Sequence, residues 1–369
     1  METSVDLMGA NGAQGNVAGH IMNNGMNVGQ MQPFADMRTG KVYVTIYKGG
    51  DPKKKESYVV QSTGKMQTNA TLRRDEWKRL DEALQMVKRE RLGGVDDLIS
   101  RGLTYTLGNA MGTTVLEWHD VSEAMEAELT MDALSRGKGD RVTFQHNYLP
   151  IPIIHVDYEI NARALAASRN MGNPLDTTSA ERAARRVLEK REDMLFTDTT
   201  YSFGAVDSRS RNTIYSYVNH PDRNPVAIGT NWDDIAANVG ATIVAQVLEC
   251  KQASIDDRHY GPWQIYIPTN YETVLDGDYD ATTPGTTIRE RILKISGITG
   301  IKVIDSLPED NVLFVQMTSD VVRLVRGLGL QTVQWGEEGN MVTKYKVLTI
   351  EVPQIRSDMD GRSGIVHLA

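Results

Sequence analysis

One cysteine, Cys250, occurs in 369 residues. An intrachain disulfide framework is therefore excluded, and the usage fits a reducing compartment. Cys250 lies in an apolar-periodic stretch, where a buried, inert thiol is the expected state. No run reaches the roughly 18 consecutive apolar residues of a membrane helix. The opening METSVDLMGANGAQGNV has neither a basic start nor an apolar centre, so no secretory signal is expected. Positive charge is also in short supply: 40 Lys and Arg against 48 Asp and Glu give a net charge of −8. A sequence-reading nucleic-acid binder normally carries a basic face. A container for nucleic acid does not need one, because a neutral or acidic wall avoids holding a polyanion tightly.

The familiar catalytic patterns are missing too. STGKM at 62–66 has Gly-Lys but lacks the earlier glycine and the following Ser or Thr of a phosphate loop. There is no H-E-x-x-H and no G-x-S-x-G. The seven histidines are scattered without metal-ligand spacing. His155 and Asp157 share a strand face, which suits a local hydrogen bond with no third ligand nearby. DGDYDA (276–281) starts like a calcium loop. Ala281 stands where the turn needs glycine and Thr287 where a bidentate Glu is needed, so it reads as a solvated acidic loop. These readings lead to no catalytic residue, no metal site and no cofactor.

Other patterns are present. Residues 1–35 are rich in Gly, Asn, Met and Gln and read as a flexible arm. KVYVTIY (41–47) alternates Val42, Val44 and Ile46 against Tyr43, Thr45 and Tyr47, a strand whose return is SYVVQS. The lysines between them read most simply as a solvated turn. Residues 72–91 carry Trp77, Leu80, Leu84 and Val87 at helical spacing, and Gly93 and Gly94 are expected to stop that helix. TTVLEWHDV and DRVTFQHNYL read as the strands of a long projecting arm, with the basic, Gly-bearing SRGKGD at its tip. An isolated two-stranded arm is marginal in water and needs an outside surface.

The clearest helix is 178–196, with Thr178 and Glu181 in a capping-box pattern, Glu181 placed to support Arg185, and Ala184, Val187, Leu188 and Leu195 as its apolar stripe. A second helix is expected over 232–251, with Ile235, Val239, Ile243 and Val247 on one side. WQIYIP (263–268) reads as a buried strand and TIRERILKI as a helix. GIKVIDSLP, NVLFVQM, MVTKYKVLTIEVPQIRSD and GIVHLA read as strands. Helices interleaved with strands of mixed length predict an α+β fold.

Within this order, the segment RVTFQHNYLPIPIIHVDYEINARALAASRNMGNPLDTTSAERAARRVLEKREDMLF (141–196) resembles the major capsid proteins of tailed phages, the Hong Kong 97 fold shared with bacterial encapsulins. The likeness rests on a Leu-Pro-x-Pro strand, the step Asp157-Tyr158, a short helix, and an Ala/Arg-rich helix ending in an Asp-apolar-apolar-Phe pattern. It extends more loosely over about 70–369. The resemblance implies an N-terminal arm with hairpin (1–69), a helix region (70–109) and an extended hairpin loop (110–150). It further implies a peripheral domain with a spine helix (151–204 and 341–369) and an axial domain (205–340).

It also implies a self-assembling icosahedral shell around phage double-stranded DNA, built of pentamers and hexamers, with portal and scaffold or decoration proteins as partners and no membrane. Such a protein belongs to the virion and assembles in the host cytoplasm. Arg136, Lys138 and Arg141, at the hairpin tip, are the candidates to meet carboxylates of the next subunit; a solvated tip is the competing reading. An encapsulin-like shell around a cargo enzyme is the alternative function. A hydrolase without recognisable motif, lacking a projecting arm, is the third.

Overall fold

A computed structural model describes residues 34–35, 42–47, 57–61, 76, 78–80, 82, 92–122, 129, 131, 141–163, 167, 178–203, 213–235, 239–280, 285–336 and 342–369. Near the N-terminus, β1 (Phe34–Ala35), β2 (Val42–Tyr47) and β3 (Ser57–Gln61) form a three-stranded antiparallel sheet. The strand and return strand stand where alternation put them, with β1 added at the edge. Most of the 72–91 helix lies outside the described residues. Of its apolar stripe, Leu80 is described: it is helical and fully buried beside Ala180 and Tyr345.

The end of the expected 72–91 helix lies outside the described residues, while Gly93 and Gly94 open a helix, α1 (Gly93–Ser100). The reason is close packing. A Cβ at Gly94 would run into the Phe196 ring, and the Gly94 N–H donates to Glu192 Oε1 at 2.6 Å while the Val95 N–H donates to Oε2 at 3.2 Å. One carboxylate thus satisfies two orphan donors at a helix start. Burial pushes the Glu192 carboxyl above its usual range, against the lowering effect of those two hydrogen bonds.

Beside a short antiparallel pair, β8 (Tyr201–Ser202) and β9 (Thr213–Ile214), two larger sheets organise the rest. The first has the order β4 (Thr104–Thr106), β14 (Val322–Gly336), β15 (Val342–Ile355), β7 (Ile154–Asn161). Against it packs α2 (Thr178–Phe196), whose Ala183, Ala184, Val187 and Leu188 enter one core with Val347, Ile350 and Val352. Its polar face carries charge, where Arg185 and Arg186 each reach Glu189 at 2.9 Å. The second sheet has the order β10 (Asn224–Val226), β16 (Ile365–Leu368), β13 (Val312–Gln316), β11 (Trp263–Ile267), β12 (Ile298–Val303). Every residue of β11, β13 and β16 is buried, which explains their mostly apolar runs. Helices α3 (Val239–Asp256), α4 (Glu272–Leu275) and α5 (Ile288–Leu293) contribute to its core. The architecture is α+β, as expected.

Helix α3 begins at Val239, seven residues later than the spacing suggested. Trp232 belongs to a turn: its ring stacks on Tyr271 with centroids 5.0 Å apart, and its Nε1 donates to Gln246 Oε1 at 2.6 Å. Strand β14 has no counterpart in the sequence reading. Its pairing with β15 shifts register on either side of Leu328, where Gly327 lets Ala110 approach too closely for a Cβ. The two long strands serve two cores, since Val325 and Leu328 pack with α2 while Val322 and Leu324 pack with α1 and Phe196. Among the described residues, no helix is long and apolar enough to cross a membrane.

Candidate functional site: the projecting hairpin and its root

Strands β5 (Val115–Val121) and β6 (Phe144–Pro150) pair antiparallel along their whole length, from Val115 opposite Pro150 to Val121 opposite Phe144. Burial falls from root to tip. Asn147, Leu149 and Pro150 are buried, whereas Val121 is 51% and Phe144 65% exposed. Beyond them Leu129 and Met131 are fully exposed. The prolines have a local cause. Pro150 lacks an N–H and ends the β6 ladder, Ile151 N–H donates to Thr114 O at 2.9 Å, and the chain leaves β5 to start pairing with β15 at Ile154. The LPIPII step is the point where the hairpin joins the body, with Leu149, Ile151 and Ile154 in the core against α2.

A cavity of about 240 Å³ lies at this root, between the hairpin, residues 213–222 and residues 353–361. Its wall is acidic and aromatic, with Asp120, Asp222, Asp358, Trp118, Tyr148 and Tyr215. Each of these acids has a partner. Asn147 donates to Asp120, Arg356 approaches it at 3.9 Å, Ser357 Oγ donates to Asp222 at 2.6 Å, and the Arg362 N–H donates to Asp358 at 2.7 Å. Burial raises the Asp120 pKa, opposed by Arg356 and Asn147.

Arg136 and Lys138 lie outside the described residues, as do the tip turn and the lysine-rich turn near the N-terminus. Arg141 is described and exposed on the approach to β6. His155 and Asp157 are both exposed on one face of β7, and Asp157 faces Lys346 at 3.6 Å across the ladder. Cys250 is buried and its thiol is pushed up to about 12 by burial, then by Glu249. In the 276–281 loop Asp276 is held by Arg289 at 2.9 Å. Among the described residues, no group of three or more His, Cys, Asp or Glu is placed to hold a metal ion.

Sequence spacing missed a buried charge network. Glu351 of β15, 1% exposed, lies 2.6 Å from Arg191 of α2 and 2.7 Å from Arg326 of β14, and Arg191 also reaches Asp96 of α1 at 3.7 Å. Three elements meet at one carboxylate, and Arg191 ties in a fourth. The one cue in the sequence was an arginine inside the otherwise apolar side of α2.

The hairpin, the spine helix under a four-stranded sheet and the separate five-stranded sheet define the Hong Kong 97-type capsid fold. Solved structures that share it include three capsid-type particles. The virus-like particle from Pyrococcus furiosus is 17% identical, covers 79% of this chain and 99% of its own, and superposes with a TM-score of 0.54. The capsid of Myoviridae Phage XM1 is 8% identical over 70% of this chain and 86% of its own, with a TM-score of 0.55. The capsid of the native GTA particle is 12% identical over 74% and 90%, with a TM-score of 0.51. No curated protein matches the sequence. Residues 67–368 match the model of a family described as being of unknown function, DUF6260, and the chain belongs to that family.

Proposed function

We propose that this chain is a major capsid protein, the repeated subunit of a closed icosahedral shell that encloses phage double-stranded DNA without reading its sequence. The observation that carries this reading is the fold, shared with capsids across most of the chain. The hairpin supports it. Val121, Leu129, Met131 and Phe144 present apolar surface that a lone chain leaves in water and a neighbouring copy would cover. Symmetry then multiplies modest contacts into a stable closed assembly. In this reading Arg136, Lys138 and Arg141 meet carboxylates of the next copy, and pentamers and hexamers gather around the five- and six-fold axes. Portal and scaffold or decoration proteins complete the virion, which assembles in the host cytoplasm. The role is structural rather than catalytic and needs no cofactor.

Strand pairing suggests where to divide peripheral from axial domain. β14 pairs with β15 and β7, and β16 pairs with β13 and β10. In place of the expected bounds, axial 205–340 and peripheral 341–369, we assign 322–355 to the peripheral domain and 365–368 to the axial domain. The chain crosses between the two near 317–322 and again near 356–364.

A second reading is a shell around a protein cargo. It draws on the virus-like particle, whose whole length is covered. The hydrolase reading expected no projecting arm, and β5–β6 counts against it. The test is negative-stain electron microscopy of the chain expressed alone and separated by size exclusion. Closed shells in the void volume are expected, and nucleic-acid absorbance in particles from infected cells separates DNA from protein cargo. A homogeneous dimer or tetramer at every salt concentration would overturn the shell reading.

A further inference from the structure

Arg323, Gln354 and Arg356 form a cluster of donors that the shell does not account for. The antiparallel register sets Arg323 of β14 opposite Gln354 of β15. Arg356 lies two residues beyond Gln354, with its N–H donating to Val321 O at 2.8 Å, so it continues the ladder and shares the Gln354 face. Arg323 Nε donates to Gln354 Oε1 at 2.6 Å. That contact engages the acceptor end of the amide and leaves the donor end over. Gln354 is 0% exposed, and among the described residues its Nε2 has no hydrogen-bond partner. Among the same residues Arg356 Nε is likewise buried without one.

Charge is out of balance in the same place. Among the described residues, Arg323 meets no carboxylate, and Arg356 has Asp120 at 3.9 Å, the limit of an ion pair. Burial, and then the nearby Arg356, lower the pKa of Arg323. The Arg323 guanidinium is steadied 4.5 Å from the centroid of the Tyr105 ring; Tyr105 is 39% and the Arg356 side chain 28% exposed, so the edge of the cluster reaches solvent. Two guanidiniums on one face of the ladder, with buried donors unused, make a costly arrangement unless an anion completes it.

We propose that Arg323, Arg356 and the Gln354 amide bind a phosphate group, carried by the free ion or by a phosphodiester. A guanidinium fork matches phosphate oxygens with paired hydrogen bonds. One carboxylate satisfies a single fork in one plane. Donors on three side chains from two strands call for acceptors in more than one plane, which a tetrahedral oxyanion supplies. This inference holds or fails without the shell, because it concerns the single chain.

The test is isothermal titration of the full-length chain at constant ionic strength, with inorganic phosphate as one probe and a short oligothymidylate as the other. Saturable binding is expected. Arg323→Gln and Arg356→Gln should each weaken it about tenfold, the usual scale for losing a charge-assisted hydrogen bond. Arg185→Gln on the exposed face of α2 should leave it unchanged. Binding of both probes identifies a phosphodiester site; binding of inorganic phosphate alone identifies a site for the free ion. A second readout needs no variant: phosphate should protect Arg323 and Arg356, but not Arg185, from phenylglyoxal in a mass-spectrometric footprint. Absence of saturable binding, binding undiminished in both folded variants, or unprotected arginines would overturn the proposal.

Discussion

Arg191 Nη1 stands 2.6 Å from Glu351 Oε2, with the arginine 5% and the glutamate 1% exposed. This pair fastens the spine helix to the longest ladder of the fold, and Arg326 on the neighbouring strand closes it from the other side. Taking such charges out of water is expensive, so the pair stabilises less than its distance suggests. Breaking it is a different matter. Arg191→Met leaves Glu351 paired with Arg326 alone and its buried Oε2 without that donor, and should cost roughly 1–3 kcal/mol. Urea unfolding would read this as a lower midpoint. Double replacement, Arg191→Met with Glu351→Gln, should recover part of the loss. A double variant no more stable than the single one would show that the two residues are not coupled.

Acid should weaken the second sheet through His367. Its Nδ1 accepts from Arg223 Nε at 3.2 Å, and Asn311 Oδ1 lies 2.6 Å from Nε2, an arrangement that suits a neutral ring protonated on Nε2. Burial, then Arg223, lower its pKa from 6.5 to about 4. Between those values the unfolded chain binds the proton and the folded chain does not. Stability is therefore full above about pH 6.5, falls as pH drops, and by pH 4 has lost up to about 3 kcal/mol. Glu192, raised by burial, acts with the opposite sign. The comparison that isolates the histidine is thermal unfolding of the wild type and His367→Gln from pH 7.5 to 4. Equal pH slopes in the two proteins would dismiss this role.

Gly94 tests the packing between α1 and α2. An added Cβ meets the Phe196 ring and crowds Glu192 Oε1, and Phe196 is fully buried between Tyr217 and Tyr266 at 5.5 and 5.0 Å. The ring has no open side to move into. Gly94→Ala should destabilise by about 1–3 kcal/mol, although alanine is the better helix former. An unchanged or raised melting temperature would mean that α1 can shift away from the ring.

Some of this architecture was legible and some was not, for local reasons. Helix α2 announced itself through Val187 and Leu188 at helical spacing, and β11 and β13 through short, mostly apolar runs between turn residues. Strand β14 was hidden because Gly327 and Gly329 interrupt its alternation where the ladder bulges. The start of α3 was misread because Ile235 fits the helical stripe of Val239, Ile243 and Val247 while lying just after a turn at 232–234. The hairpin strands could be read, since each alternates locally. The Glu351 network and the Arg323–Gln354–Arg356 cluster could not, because they depend on the register between distant segments. Arg191 and Glu351 are 160 residues apart.

Phe144 separates folding from assembly. It stands at the outer end of β6, 65% exposed, opposite Val121 at 51%. A ring this exposed contributes little to the core, so Phe144→Ser should shift the stability of the single chain by no more than about 0.5 kcal/mol. If the proposed shell is correct, the same ring is covered by another copy, and its loss is repeated at every equivalent contact. The apolar ring is worth about 1.5–3 kcal/mol when fully buried, so the concentration needed for assembly should rise about tenfold or more. Light scattering against protein concentration measures that threshold, and circular dichroism checks that the chain has folded. An unchanged threshold would place Phe144 outside the contacts between copies. A folded chain that no longer assembles would make the outer half of the hairpin an adhesive surface, with apolar burial as its main driving force.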